Sequence, residues 1–360
     1  MSRKSKVIVI IAAYNGRQYW PELMPLLTAE RYPDFDGELL VVDNNSSDDS
    51  VAYLREHFPG VKVIVNQENL GFVGANNVGY QYARKVKADY IYLLNQDTVI
   101  RPGWLQPLYD FARHHKFGSL QSKILLWPDT SRINTTGNVI HFLGFGYGGS
   151  AGQPDRPDRE IKKINYASGA GVFLSMKALA QLPLSADQAG NRPVLFDESM
   201  FMYLEDLDLG WSLNLLGYDN YLVPASIIYH KYSFDRSLKH YYWFERNRLW
   251  VMLKNYRWPT WFLIFPAWLI MELGQWFFAL KNKRFWQRCQ AFRWLWSYSS
   301  WRLLIHKRRQ IQAHRVRSDR QVASAFSGRI LFQELSSPLL DISNIFFYIY
   351  WAIIKRFLFW

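Results

Sequence analysis

Apolar residues in the first hundred positions come in short blocks separated by amphipathic stretches. Lys6 to Ala13 (KVIVIIAA) is a β-branched run that predicts a strand buried on both faces. Residues 17–31 follow with helical spacing and Pro21 near the first turn. Glu38 to Val42 predicts a second strand ending at Asp43. The polar cluster Asn44 to Ser50 predicts a loop with helix N-cap chemistry, with a helix to about His57. Val61 to Val65, a helix within Gly71 to Lys85, and Tyr90 to Leu94 complete the alternation. Strand and helix in turn predict an α/β domain with a mostly parallel sheet.

The pattern then changes. Residues 143–163 are rich in Gly, Pro and charge and read as a mobile loop. Its glycines Gly144, Gly146, Gly148, Gly149 and Gly152 allow either a lid over a ligand or a plain flexible connection. Val172 to Leu174 predicts a strand after Ser168-Gly169-Ala170-Gly171. Glu205 to Leu216 predicts a helix stopped at Gly217.

Charge divides the chain in two. Residues 1–235 hold 22 Lys/Arg and 25 Asp/Glu, a net −3, whereas residues 236–360 hold 21 and 5, a net +16, together with 12 of the 16 Trp. The basic character therefore belongs to the last third, and a domain boundary is expected at Asp235. Basic residues mixed with Trp, Phe and Leu suit an anionic membrane surface. No nucleic-acid-binding motif accompanies them, so nucleic acid is not the expected partner. Trp261 to Leu280 is long enough to span a bilayer. It carries Glu272, however, and a mid-membrane acid costs roughly 2.5–3.5 kcal/mol. Helices lying in the interface are preferred over a spanning helix, with Ile345 to Trp360 as a second candidate. Cys289 is the single cysteine, which removes internal disulfides and Cys-based metal clusters and favours a reducing, cytoplasmic setting. The N-terminus lacks the h-region of a signal peptide, so no secretion is expected.

Polar residues close three of the strands: Tyr14-Asn15, Asp43-Asn44-Asn45 and Asn95-Gln96-Asp97. In an open α/β sheet such ends converge on one crevice. No GxGxxG follows the first strand and no GxxxxGK[ST] occurs, which removes the usual phosphate devices of dinucleotide and P-loop proteins. A strand-end Asp can accept from a base imide, and a second can hold Mg²⁺ or Mn²⁺ against a diphosphate.

The ordered set Ile11-Ala12-Ala13-Tyr14-Asn15, Val41-Val42-Asp43-Asn44-Asn45-Ser46-Ser47-Asp48, Asn69-Leu70-Gly71-Phe72 with Asn77, and Leu94-Asn95-Gln96-Asp97 resembles the family 2 glycosyltransferases of GT-A fold. Within that family the chain looks closest to rhamnosyltransferase-like members that build bacterial surface polysaccharides. Ser168-Gly169-Ala170, Phe196-Asp197-Glu198, Tyr203-x-Glu205-Asp206-x-Asp208, His230 and Glu245-Arg246-Asn247 extend the likeness to about residue 250.

The resemblance implies a nucleotide half over about residues 1–100 and an acceptor half over about 101–235, and the charge and Trp content add a helical membrane-associating region over 236–360. It implies that Tyr14 and Asp43 contact the nucleoside, with Asn45, Asn77 and Asn95 also in the nucleotide site. Asp97 is implied as the main ligand of Mg²⁺ or Mn²⁺, with His230 a further metal or diphosphate contact, and Asp206 as general base. The implied reaction is inverting transfer of a sugar from UDP or dTDP to a hydroxyl of a lipid-linked or surface glycan, at the cytoplasmic face of a bacterial inner membrane. Two departures stand out: Asn95-Gln96-Asp97 offers one carboxylate, and Ser212 stands where the family often has Arg. The alternatives are a sugar nucleotidyltransferase, which wants a basic Gly-rich loop where Tyr14-Asn15-Gly16-Arg17 stands, and an inactive glycan- or membrane-binding relic. Arg246 either meets a phosphate or pairs with an acidic neighbour.

Overall fold

The computed structural model describes residues 3–183, 192–232, 240–331 and 338–360. The first block alternates as the hydrophobic pattern predicts: β1 (Ser5–Ala13), α1 (Trp20–Ala29), β2 (Phe35–Asp43), α2 (Ser50–His57), β3 (Lys62–Val65), α3 (Gly71–Lys85) and β4 (Tyr90–Asn95). Next come β5 (Thr98–Ile100), α4 (Gln106–His114), β6 (Ser119–Leu126), β7 (Ile133–Thr135), β8 (Asn138–Ile140), β9 (Gly146–Gly148), β10 (Lys162–Ile164), β11 (Gly171–Ser175), α5 (Met176–Leu179), α6 (Glu205–Leu215) and β12 (Asn220–His230). The last third forms α7 (Tyr241–Asn255), α8 (Trp258–Lys281), α9 (Phe285–Leu295), α10 (Tyr298–His314), α11 (Asp319–Ala323) and α12 (Pro338–Ile354).

The main sheet runs β10-β12-β6-β11-β4-β1-β2-β3. Its β4-β1-β2-β3 portion is parallel, β11 lies antiparallel between β4 and β6, and β12 is parallel to β6. This is a GT-A arrangement, a mostly parallel sheet with a mixed second half. Both faces of the parallel part are covered. Ile8, Ile10, Leu40, Val42, Ile91 and Leu93 enter one apolar cluster, beneath α3 and the C-terminal helices. Val7, Val9, Ile11, Val41 and Leu94 enter the other, beneath α1 and α4. Burial on both faces is why β1 reads as an unbroken apolar run instead of an alternating one.

Two expectations need adjustment. The stretch 143–163 is not simply a mobile loop. Its first half folds back as β9 on β8. A Cβ on Gly146 would come 2.3 Å from the Tyr166 hydroxyl, so the glycine serves close packing here. The expected boundary at Asp235 lies outside the described residues. On either side of it one cluster is shared: Trp250, Met252, Tyr256, Ile264, Phe326 and Trp351 pack with Leu207, Trp211 and Phe142.

Buried ion pairs tie the same parts together. Lys254 of α7 pairs with Asp208 of α6, and Lys307 of α10 lies 2.8 Å from Asp197. Glu272 does not sit bare on an apolar helix. With Glu245 of α7 it pairs with Arg248 and Arg288, all four buried. Burial opposes ionisation of Glu245, but the two guanidiniums hold it below its ordinary value.

Candidate active site

The carboxyl ends of β1, β2 and β4 lie side by side, with Ala13 opposite Asp43 and Ala12 opposite Asn95. The three polar strand ends therefore meet at one edge, as their spacing predicts. The loops that leave them are pinned to one another. The Tyr14 N–H donates to Gln96 Oε1 and Gln96 Nε2 donates back to the Tyr14 carbonyl, both at 3.0 Å. Asn15 and Asn45 adopt the left-handed conformation that Asn tolerates, with φ of 49° and 61°. Asn15 receives the Ser47 N–H at 2.9 Å, while Asn45 is exposed.

Asp43 is buried at the strand end and accepts from the Ser46 N–H at 2.9 Å and the Ser46 hydroxyl at 2.5 Å. Tyr14 stands exposed beside it. Asn77 has a different setting from the one the resemblance implies. It is buried in α3, donates to the Phe196 carbonyl and accepts from the Leu195 and Phe196 N–H groups. Its whole amide is thus committed to holding 195–196 against α3. Arg17, in the loop after β1, pairs with Asp49 and stacks on Tyr53.

Asp97 follows β4 and is nearly buried. Its Oδ1 lies 3.3 Å from His230 Nε2 at the end of β12. His230 Nδ1 is 3.1 Å from Asn134 Oδ1. The imidazole thus presents Nε2 to the carboxylate and Nδ1 to the amide. The donor set suits a hard divalent ion, with Asn134 fixing the imidazole from behind. Among the described residues no group of three or more His, Cys, Asp or Glu side chains could hold a metal, so other ligands would have to come from a diphosphate and water.

Asp206 is the second residue of α6. Its Oδ2 accepts from the Gly169 N–H at 3.0 Å and its Oδ1 from the Leu207 N–H at 2.7 Å. Gly169 belongs to Ser168-Gly169-Ala170, and the Ala170 carbonyl accepts from the Asn95 N–H at 3.2 Å. One three-residue segment thus joins the end of β4, two residues before Asp97, to Asp206. Burial raises Asp206 to about 6, against the pull of the two N–H groups. Burial, reinforced by Asp206 and Asp208, raises the neighbouring Glu205 well above the usual carboxylate range. Both carboxyls of the pair are thus lifted by burial, and Asp206 is the one that gains backbone N–H donors from Gly169 and Leu207. Asp208 is occupied by Lys254 and Asn255 and faces the helices, away from this role.

Arg246 donates to the Ser199 carbonyl and lies 4.4 Å over Trp243 and 4.1 Å over Trp294. Two contributors escaped the sequence reading altogether: Asn134, which has no motif around it, and Gln96, which stands inside one but acts on the backbone.

Residues 8–179 match the sequence model of Glycosyl transferase family 2. The chain carries a family 2 glycosyltransferase domain. An N-acetylglucosaminyl-diphospho-decaprenol L-rhamnosyltransferase of Mycobacterium tuberculosis is 23% identical over 54% of this chain and 66% of its own length. An uncharacterized glycosyltransferase of Haemophilus influenzae is 27% identical over 29% of this chain and 32% of its own. The chain thus spans about a third of one relative and just under two thirds of the other. Among solved structures, GalNAc-T7 with UDP, GalNAc and Mn²⁺ aligns with a TM-score of 0.53 at 14% identity, over 71% of this chain and 48% of that one. That likeness supports the fold of the glycosyltransferase domain.

Proposed function

We propose that the domain moves a sugar, with inversion, from a UDP or dTDP donor to a hydroxyl of a lipid-linked or surface glycan. The observation that carries this reading is the Ser168–Ala170 bridge, which sets the Asp206 carboxylate into the same cleft edge as Asp97. Asp206 takes the proton of the acceptor hydroxyl as its oxygen attacks the anomeric carbon. The bond from that carbon to the diphosphate breaks, and the nucleoside diphosphate leaves with the electron pair. Asp43 and Tyr14 bind the nucleoside, with Asn45 and Asn95 beside them, and Asn77 acts through the 195–196 backbone. Asp97 and His230 would hold Mg²⁺ or Mn²⁺, which neutralises charge on the diphosphate. The rhamnosyltransferase among the relatives favours a dTDP-rhamnose-type donor and a diphospholipid-linked acceptor. A nucleotidyltransferase would need a free basic group after β1, and Arg17 is engaged with Asp49 and Tyr53.

The acceptor reading asks for a membrane-facing surface. α8 is one helix long and apolar enough to cross a membrane. Its Glu272 turns inward to the buried arginines, while Phe262 (82% exposed) and Leu273 (64%) face outward. The adjoining α12 exposes Ile342, Ile345, Ile349 and Ile353, and Tyr350 ties it to the Leu263 carbonyl at 2.6 Å. Lys281, Lys283, Lys355 and Arg356 are exposed near the ends of these helices. That pattern favours helices lying in the interface on the cytoplasmic face of the inner membrane.

Calorimetry with UDP and dTDP, with and without Mn²⁺ or Mg²⁺, tests the site. One nucleotide should bind with metal dependence, and Asp97→Ala should abolish that dependence. Failure of both nucleotides to bind folded protein would overturn the proposal.

A further inference from the structure

The turn that delivers Asp206 is strained. Phe201, Tyr203 and Leu204 have φ of 57°, 67° and 64°, positive values that strain non-glycine residues. Leu204 is the residue immediately before α6, so its conformation sets where that helix begins and where its second residue, Asp206, points. Such a turn persists only when its surroundings over-determine it.

The carbonyls of this turn show what does so. The two N–H groups of Asn247 Nδ2 are shared among the Met200 carbonyl at 3.0 Å, the Met202 carbonyl at 2.9 Å and the Tyr203 carbonyl at 2.8 Å. Arg246 takes the Ser199 carbonyl, and the Val73 N–H of α3 takes the Phe201 carbonyl at 3.0 Å. The Leu204 carbonyl begins α6 by accepting from Asp208. Every carbonyl from 199 to 204 is therefore assigned, and three converge on one buried side chain. Asn247 is itself held: its Oδ1 accepts from Arg246 Nε at 3.0 Å, and Arg246 is packed between Trp243 and Trp294. A side chain whose N–H groups serve backbone oxygens can be neither ionised Asp, which only accepts, nor a hydrophobe.

We propose that Asn247 is a positioning residue for the transfer reaction: from α7, outside the nucleotide half, it locks the 200–204 turn in the conformation that aims Asp206 into the cleft. This rests on the assignment of Asp206 as base. The hydrogen-bond partners of Asn247 are Arg246 and the 200, 202 and 203 carbonyls, none assigned to donor or metal, so its loss should act on the acceptor step and spare nucleotide binding.

The test compares Asn247→Ala and the near-isosteric Asn247→Asp with wild type and Asp206→Asn. Activity is normalised to folded protein by its metal-dependent nucleotide binding. Both Asn247 variants should keep the nucleotide Kd within about twofold. Both should lose on the order of 100-fold in kcat, the scale of a misplaced catalytic group, and displace the acid limb of the kcat–pH profile. Asp matching Ala would show that donation, not volume, is what counts. A kcat within about threefold of wild type with an unmoved acid limb would overturn the proposal, whatever the loss in melting temperature. If Ala does not fold, the same two readouts on Asp decide the matter; if neither folds while nucleotide-bound wild type does, Asn247 is a general fold determinant and the proposal fails. An Asp206→Asn enzyme with full activity would instead remove the base assignment itself, a distinct outcome.

Discussion

At the scale of single residues, the cleft separates two neighbouring acids by environment. Glu205 is surrounded by protein and by two other acids, while Asp206 gains two backbone N–H donors. A base must be ionised to work, and Asp206 has its carboxyl lifted to about 6. Turnover should therefore fall as pH drops through about 6 and level off above it, read as the acid limb of kcat against pH. Asp206→Asn should lower kcat by on the order of 10²–10⁴-fold with nucleotide affinity retained, the range of general base catalysis. A flat profile from pH 5 to 8 in the wild type would contradict that assignment.

Among elements, the decisive contacts run between α6, the turn before it, and the helices α7 and α10. Asp197 shows the logic. It accepts from the Ser199 N–H at 3.0 Å and the Trp250 indole N–H at 2.9 Å, and Lys307 lies 2.8 Å away. Burial pushes its carboxyl up, but Lys307 and Lys254 outweigh this and hold it well below the usual range. The sign follows: stability from this lowered value is present above the unfolded pKa near 3.9 and is lost as pH falls toward the folded one. Lys307→Met removes the paired cation and leaves the buried carboxylate with its Ser199 and Trp250 donors and the more distant Lys254. It should destabilise the protein by about 3–5 kcal/mol, measured by urea unfolding at pH 7. A loss below about 1 kcal/mol would mean that the pair is solvated in solution.

For the whole molecule, part of the basic charge of the last third is structural, and the rest underlies the proposed membrane contact. Arg248, Arg288, Lys254 and Lys307 are spent inside, against Glu245, Glu272, Asp208 and Asp197. Lys281, Lys283, Lys355 and Arg356 stay exposed near the ends of α8 and α12. Phe262→Glu and Leu273→Glu change exposed positions and should leave nucleotide binding intact. Each should weaken co-flotation with vesicles containing anionic phospholipid, and raised salt should weaken it further for the wild type. Flotation unchanged by both substitutions would exclude this face as the docking surface.

Local pattern was enough for the type and order of the first seven elements, because strands buried on both faces and amphipathic helices write different periods into the chain. It was also enough to bring Asp43, Asn95 and Asp97 together, since parallel strands must end on one side. The base role of Asp206 came from the resemblance alone, through the Tyr203-x-Glu205-Asp206-x-Asp208 motif, and stands as a proposal. What Asn77, Arg246 and Asn247 do was not legible: their partners are backbone carbonyls and N–H groups of distant segments, which no side-chain pattern marks. The glycine-rich 143–163 stretch misread for a related reason, since a glycine chosen for close approach looks the same in sequence as one chosen for freedom. Glu272 gives the clearest contrast. On its own helix it is an unpaired acid in an apolar run. Only the tertiary fold, by bringing Arg248 and Arg288 to it, turns it inward and leaves an apolar face on the outside.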